Sequence, residues 1–188
     1  APDYLRAGLV LAGGKIDLSG SGGVEDVTNT TILEGASAIR QLPGTSAISL
    51  GSITRASRGG SLLVTGQGAT TTSVGNGTGI LGGYAVFERS DWAVSDGVNP
   101  INALAFYDSA WTPGVNFDAT FDENVDGDVD TVRFNQEAPV ILTLVGPGAL
   151  NSGGILVTPN VGLNDVEIGE DGNGWELTAG NDSGAYDL

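Results

Sequence analysis

The stretch that decides the fold is GLVLAGGKIDLSGSG, residues 8–22. Leu9 and Leu11 stand two positions apart, and so do Ile16 and Leu18 after a break of small residues. Because side chains alternate between the two faces of a β-strand, this spacing predicts short strands with one buried face. The glycines and serines between the pairs predict tight corners and disfavour a helix.

The same pattern recurs along the chain, for example in Ile48 with Leu50 and in Leu62 with Val64. Many short strands fit a sandwich, a barrel or a β-solenoid. A meander needs two-residue turns between strands, and neither Asn76-Gly77 nor Asp126-Gly127 stands at hairpin spacing. We therefore predict an all-β, mostly parallel β-solenoid. The expected strands cover residues 9–18, 30–33, 38–42, 47–53, 61–65, 80–88, 92–94, 102–107, 131–134, 140–145, 155–158, 166–168 and 175–178.

Residues 95–124 differ in character from the rest of the chain. They contain Pro100 and Pro113 together with the densest group of aromatic residues. This composition predicts an irregular excursion packed on the coil. Since no long linker or charge block divides the sequence, we expect a single domain over residues 1–188. The aromatic residues of the excursion are Phe106, Tyr107, Trp111, Phe117 and Phe121.

The composition restricts the classes of function. The 188 residues include 23 acidic and 7 basic side chains, for a net charge of −16. This charge opposes binding to nucleic acid and to anionic membrane surfaces. No apolar run reaches the roughly 20 residues that span a bilayer. The absence of Cys and His removes thiolate metal ligands and the commonest general base, so we expect no enzyme activity.

The clearest local motif is DENVDGDVD, residues 122–130. Its oxygen-bearing residues follow the alternating positions of an EF-hand-type loop, and Gly127 provides the bend. The twelfth position is Arg133, where such a loop has a bidentate Glu. The alternative interpretation is an acidic turn before a strand. The candidate Ca²⁺ ligands are Asp122, Asn124, Asp126, Asp128 and Asp130.

A second interpretation of the same stretch concerns carbohydrate chemistry. Asp126, Asp128 and Asp130 are two apart, so on a strand they would share one face and could act as paired carboxylates. Trp92 or Trp111 could stack on a sugar. The alternative function is therefore a carbohydrate-active lyase or hydrolase, with a surface polysaccharide as the candidate partner.

Four segments resemble the autotransporter-associated β-strand repeat family of exported surface proteins of Gram-negative bacteria. They are residues 8–22, GSITRASRGGSLLVTG at 51–66, NGTGILGGYAVFERSDWA at 76–93, and TVRFN at 131–135 with NSGGILVTPNVG at 151–162. The third segment is the most specific, since it combines a double Gly, an aromatic residue and a DWA triplet. The resemblance implies a right-handed parallel β-helix, export to the cell surface and a passenger-like role. It carries over no catalytic residue.

The sequence therefore predicts a structural or adhesive protein, secreted or held at the cell surface. We expect the chain to be a segment of a larger protein or a stacking subunit. A solenoid core is open at its ends unless a polar cap covers it. Tyr4, Leu5 and the last residues, 185–188, read as parts of terminal rungs. We thus expect more of the same polypeptide, or the next copy, to cover both ends.

Overall fold

The computed structural model describes residues 7–44, 46–56, 58–170 and 172–179. Its contacts divide the chain into two compact units. Unit 1 comprises the chain up to Glu88 together with residues 92–104, and unit 2 comprises residues 89–91 and 105–188. The terminal segments for which we predicted strands, around Tyr4 and over residues 185–188, lie outside the described residues.

Unit 1 is a three-sided coil of parallel strands. Its first side stacks β1 on β4 and β7, its second side stacks β2 on β5, β8 and β10, and its third side stacks β3 on β6 and β9. The bounds are β1 Leu9–Leu11, β2 Gly14–Gly20, β3 Val24–Asp26, β4 Asn29–Ile32, β5 Gly35–Gly44, β6 Ala47–Ser49, β7 Ser52–Arg55, β8 Gly60–Thr65, β9 Ala69–Thr70 and β10 Ala85–Phe87.

The rungs of unit 1 repeat at a nearly constant length. Leu9 pairs with Thr30, 21 residues further on, and Gly35 pairs with Gly60, 25 residues further on. Rungs of similar length bring like positions into line, so apolar side chains stack inside the coil and exclude water. The buried inward residues include Ile32, Ile39, Ile48, Leu62 and Val64.

Small polar residues and glycine lie at the corners and beside them. The Thr30 hydroxyl donates to the carbonyl oxygen of Leu50 at 2.8 Å, which satisfies a buried polar group. Gly51 has a φ of 58°, and a Cβ there would overlap the carbonyl oxygen of Thr28 on the neighbouring rung. Only glycine fits this corner, because it allows both the left-handed backbone and the close approach.

The last strands of unit 1 depart from the parallel pattern. Strand β11, Asp91–Val94, joins the second side next to β10 and pairs antiparallel with β12, Asn102–Ala103. Three isolated antiparallel bridges accompany them: Thr70 with Pro100, Val74 with Asp96 and Ile80 with Val94. The long strand expected over residues 80–88 is therefore reduced to β10, because its first half forms a turn.

Unit 2 is also built of parallel strands, but its strands are longer and bent. The bounds are β13 Asn116–Ala119, β14 Glu123–Phe134, β15 Val140–Val157, β16 Val166–Glu170 and β17 Leu177–Ala179. The sheet order is β13-β14-β15-β16, and β17 also pairs with β15. Strand β14 shifts register against β15 between Val125 and Gly127 and again between Val129 and Thr131. Each shift is a corner, so one strand covers three sides of a rung.

The core of unit 2 is lined by the inward residues of these rungs. Phe117, Val132 and Phe134 are almost completely buried, and Leu142 and Leu150 are fully buried. A single 3₁₀ turn, Pro159–Val161, is the only helix among the described residues. No helix in that part of the chain is long and apolar enough to cross a membrane.

The predicted fold class is confirmed: the described chain is all-β, with the stacked parallel strands of a β-solenoid. Residues 104–115 contain no strand, which agrees with the irregular excursion but shortens the strand expected over residues 102–107 to β12. Other details also differ from the prediction. Phe117, assigned to the excursion, lies in β13, and the acidic residues 123–130, expected as a turn or loop, form the first part of β14.

Candidate functional site

Strand β14 carries the predicted calcium ligands, and it spreads them over different sides of the rung. Asp122 precedes the strand and accepts a 2.8 Å hydrogen bond from the Ile141 amide. Asn124 and Asp126 are exposed on either side of the first register shift, and Asp128 is half-buried.

Asp130 is the buried member of the predicted set, with 6% of its surface exposed. Its carboxylate accepts a 2.6 Å hydrogen bond from the Ser152 hydroxyl of β15, near the second register shift. Among the described residues, no three acidic side chains come together in a group that could hold a metal ion. In this conformation the five residues do not supply the six to eight converging oxygens that Ca²⁺ takes. Calcium binding stays a prediction, which the effect of Ca²⁺ on the melting temperature tests.

The structure does not bring together the residues on which the carbohydrate interpretation was based. Asp126, Asp128 and Asp130 do not share one face, because the register shifts turn β14 between them. Trp92 is 1% exposed, so it cannot stack on a sugar. Trp111 is half-buried; its Nε1 donates to the Gly127 carbonyl at 3.1 Å. Its ring meets Phe117 edge to face at 5.4 Å.

The strongest polar cluster of unit 2 surrounds Arg133. Its Nε and Nη2 donate to the two carboxylate oxygens of Asp118 at 2.9 and 2.7 Å. Its Nη1 donates to Asp91 at 2.6 Å, and its guanidinium lies 3.5 Å from the centre of the Tyr107 ring. Burial alone would lower the pKa of Arg133, but the Asp118 hydrogen bonds and the nearby negative charge outweigh it and raise the pKa.

These contacts give Arg133 a structural role. Two carboxylates bind the edge of its guanidinium, and an aromatic ring covers the face. This arrangement suits the planar fork of Arg. The arginine therefore ties residues 89–91 and the excursion to β13 and β14. The sequence did not reveal this cluster, since the partners stand 15 and 42 residues from Arg133. Its only signal was a charged residue inside the apolar TVRF strand.

A second feature of β14 is the side chain of Glu123. Glu123 is in register with the fully buried Leu142, so it occupies an inward position at the start of the strand. Its Oε2 is buried and has no hydrogen-bond partner, and burial raises the pKa of the carboxyl group. Glu123 also borders a groove with Asp122, Asn124, Ile141 and Thr143. A carboxyl group of this kind can act as a general acid if a substrate reaches it.

Unit 1 has a smaller charged cluster on its second side. Arg40 of β5 forms two hydrogen bonds with Asp17 of β2, at 2.8 and 2.9 Å. The Lys15 ammonium lies 3.5 Å from the same carboxylate. The hydrogen bond from Arg40 lowers the pKa of Asp17. Beside this cluster runs a mostly apolar groove that includes Leu9, Ile16 and Leu18.

The fold defines the chain as a β-solenoid protein. No protein-family model, curated protein or solved structure matches it. The resemblance to autotransporter-associated repeats therefore rests on the sequence segments quoted above.

Proposed function

We propose that this chain is a structural or adhesive protein, secreted or held at the surface of a Gram-negative bacterium. The observation that supports the proposal best is the regular parallel coil of both units. Repetition of one rung produces extended faces of aligned strands, which suit binding to large partners. The candidate partners are surface polysaccharides and further copies or segments of the same kind.

The charged groups support the same proposal. The guanidinium groups of Arg133 and Arg40 bind carboxylates of neighbouring strands, so they hold rungs together. The acidic residues are concentrated in unit 2, which has 16 of the 23 but only two of the seven basic residues. A surface of this charge keeps the protein soluble and selects against anionic partners.

The groove at Glu123 favours a second candidate, a carbohydrate-active enzyme. Glycoside hydrolysis uses a carboxylic acid of raised pKa as general acid. Glu123 has that property and borders a groove with Asp122 and Thr143. In this candidate function Glu123 would be the acid, and Glu123→Gln would abolish cleavage.

One experiment compares the two functions. Beads coated with the purified chain are passed over films of acidic, neutral and amino polysaccharides, and bead retention and released reducing ends are both measured. The proposal predicts that beads with native chain stay on at least one film more than beads with heat-denatured chain, without release of reducing ends. Release that disappears in Glu123→Gln would establish the enzyme. Equal loss of native and denatured beads from every film would contradict the adhesive role.

A further inference from the structure

One edge of unit 2 has a partner strand on one side only among the described residues. Residues 154–157 of β15 pair with β14, whereas β16 and β17 continue only the other two sides of the coil. The inward residues of this edge are Ile155 and Val157, which are 36% and 51% exposed. Their register partners on β14 are buried. An apolar inner face next to an open strand edge is a site where another strand can add.

The backbone of this edge also has polar groups that point away from β14. Thr158 is extended, and its amide donates to the carbonyl oxygen of Phe134 at 3.0 Å, so its backbone faces β14. The N–H and C=O groups of successive residues in a strand point to opposite neighbours. Those of Ile155 and Val157 therefore point to the open side, where an added strand would bond them.

The spacing between paired residues predicts where along the chain this strand lies. From β14 to β15 the spacing rises from 19 to 21 and then to 23, at the pairs Glu123–Leu142, Gly127–Gly148 and Thr131–Gly154. In the next rung the spacing is 26 at β16 and 29 at β17. The last rise, from 21 to 23, arises because the corner before Gly154 has three residues where β14 has one. The same rise of two after β17 gives a spacing of 31, which sets Ala185 beside Gly154.

The sequence of the corner before this edge recurs further along the chain. Residues 151–153 are Asn-Ser-Gly, and residues 181–184 are Asn-Asp-Ser-Gly. Gly153 has a φ of 68°, a left-handed conformation that glycine adopts readily. Gly184 ends the second motif as Gly153 ends the first, so the strand that follows it would begin at Ala185.

The alternation of apolar residues selects the same register. Tyr186 and Leu188 stand two apart, so both can pack on the two inward residues of the edge. A slip of one residue in either direction would turn Asp187 inward beside an apolar side chain, which is unfavourable. A slip of two residues would set Gly184 beside Ile155 and leave that side chain uncovered.

From these observations we propose that residues 185–188 of this chain add a parallel strand to residues 154–157 and complete the rung that β16 and β17 begin. The two apolar side chains of the added strand cover the exposed inward residues of the edge. Asp187 lies on the outer face, in line with Arg133 of β14. The edge is then occupied within the chain and is closed to a second copy. This contact does not depend on the proposed adhesive function.

Amide hydrogen exchange in the full chain, followed by NMR, tests the proposal. The amides of Ile155 and Val157 should exchange as slowly as those of β14, which lies between two strands. Leu188→Asp should abolish this protection, because a carboxylate cannot pack at an inward position. Leu163→Asp makes the same replacement at a fully exposed position and should leave both amides slow. Contacts between amide and α protons should identify the pair Ile155 with Tyr186.

A chain truncated after Ala179 gives a second test that does not depend on one side chain. Its Ile155 and Val157 amides should lose protection, while slow exchange in β14 shows that the sheet remains folded. Fast exchange of the two amides in the wild type would overturn the proposal. Protection that persists in the truncated chain, or that falls as the wild-type concentration is lowered, would also overturn it. In those cases another partner, such as a second copy, covers the edge, and bead retention still measures the adhesive function separately.

Discussion

At the scale of single residues, a few buried polar side chains determine how unit 2 holds together. Arg133 has 10% of its side chain exposed and connects Asp118 with Asp91. Removing one partner from a buried ion pair leaves an uncompensated charge, which costs far more than the loss of an exposed pair. Arg40 and Asp17 form the exposed counterpart in unit 1.

This contrast gives a stability prediction. Arg133→Lys should lower the free energy of unfolding by about 2 kcal/mol, since Lys keeps the charge but loses a hydrogen bond of the two-pronged contact with Asp118. Arg40→Lys is the matched control and should have a clearly smaller effect, because its ion pair with Asp17 is exposed to solvent. Urea unfolding with comparable slopes measures both. Equal losses in the two variants would contradict the structural role of Arg133.

Glu123 gives a prediction about pH. Burial raises its pKa above the ordinary value of 4.5, so its contribution to stability is complete below the unfolded-state pKa. That contribution is lost as the pH rises through the folded-state pKa. Glu123→Gln should therefore melt at a higher temperature than the wild type at about pH 7, and the difference should close at about pH 3.5.

The exposed Glu137 supplies the control for this measurement. Glu137→Gln should follow the wild-type melting temperature at both pH values. A Glu123→Gln variant that is less stable than the wild type at neutral pH would show that the carboxylate has a favourable partner there.

At the scale of elements, the calcium hypothesis concerns the first part of β14. If residues 122–130 rearrange to bind Ca²⁺, the ion should raise the melting temperature, because a ligand that binds only the folded state stabilises it. Asp126→Ala should remove that gain, whereas Glu137→Ala should keep it. Melting curves that are the same with millimolar Ca²⁺ and with a chelator would reject the site and leave a solvated acidic strand.

The strands themselves were predictable where the inward residues are large and apolar. Ile16 with Leu18 and Leu62 with Val64 mark strands that the structure contains. The first part of β14 was not recognised, since Val125 and Val129 are its only apolar residues and acidic residues, Asn124 and Gly127 fill the other positions. The corners explain this limit: a bent strand changes side within a few residues, which breaks the simple alternation.

The candidate sites were harder to predict from the sequence than the strands. The spacing of Asp122 to Asp130 fits a loop that converges on an ion, but pairing with β15 holds most of this segment extended. The Arg133 cluster depends on contacts between distant parts of the chain, which no local pattern contains. Positions within a rung follow from periodicity, whereas contacts between rungs depend on register.

At the scale of the whole chain, both units are built of strands that run parallel from rung to rung. Nuclear Overhauser contacts in the isotopically labelled protein test this directly. The parallel coil predicts contacts between amide and α protons for the register pairs Thr31 with Thr54 and Val132 with Ile155. Strong contacts between facing α protons should be confined to antiparallel pairings such as that of β11 with β12. Facing α-proton contacts throughout β4, β7, β14 and β15 would contradict the solenoid and every inference drawn from it.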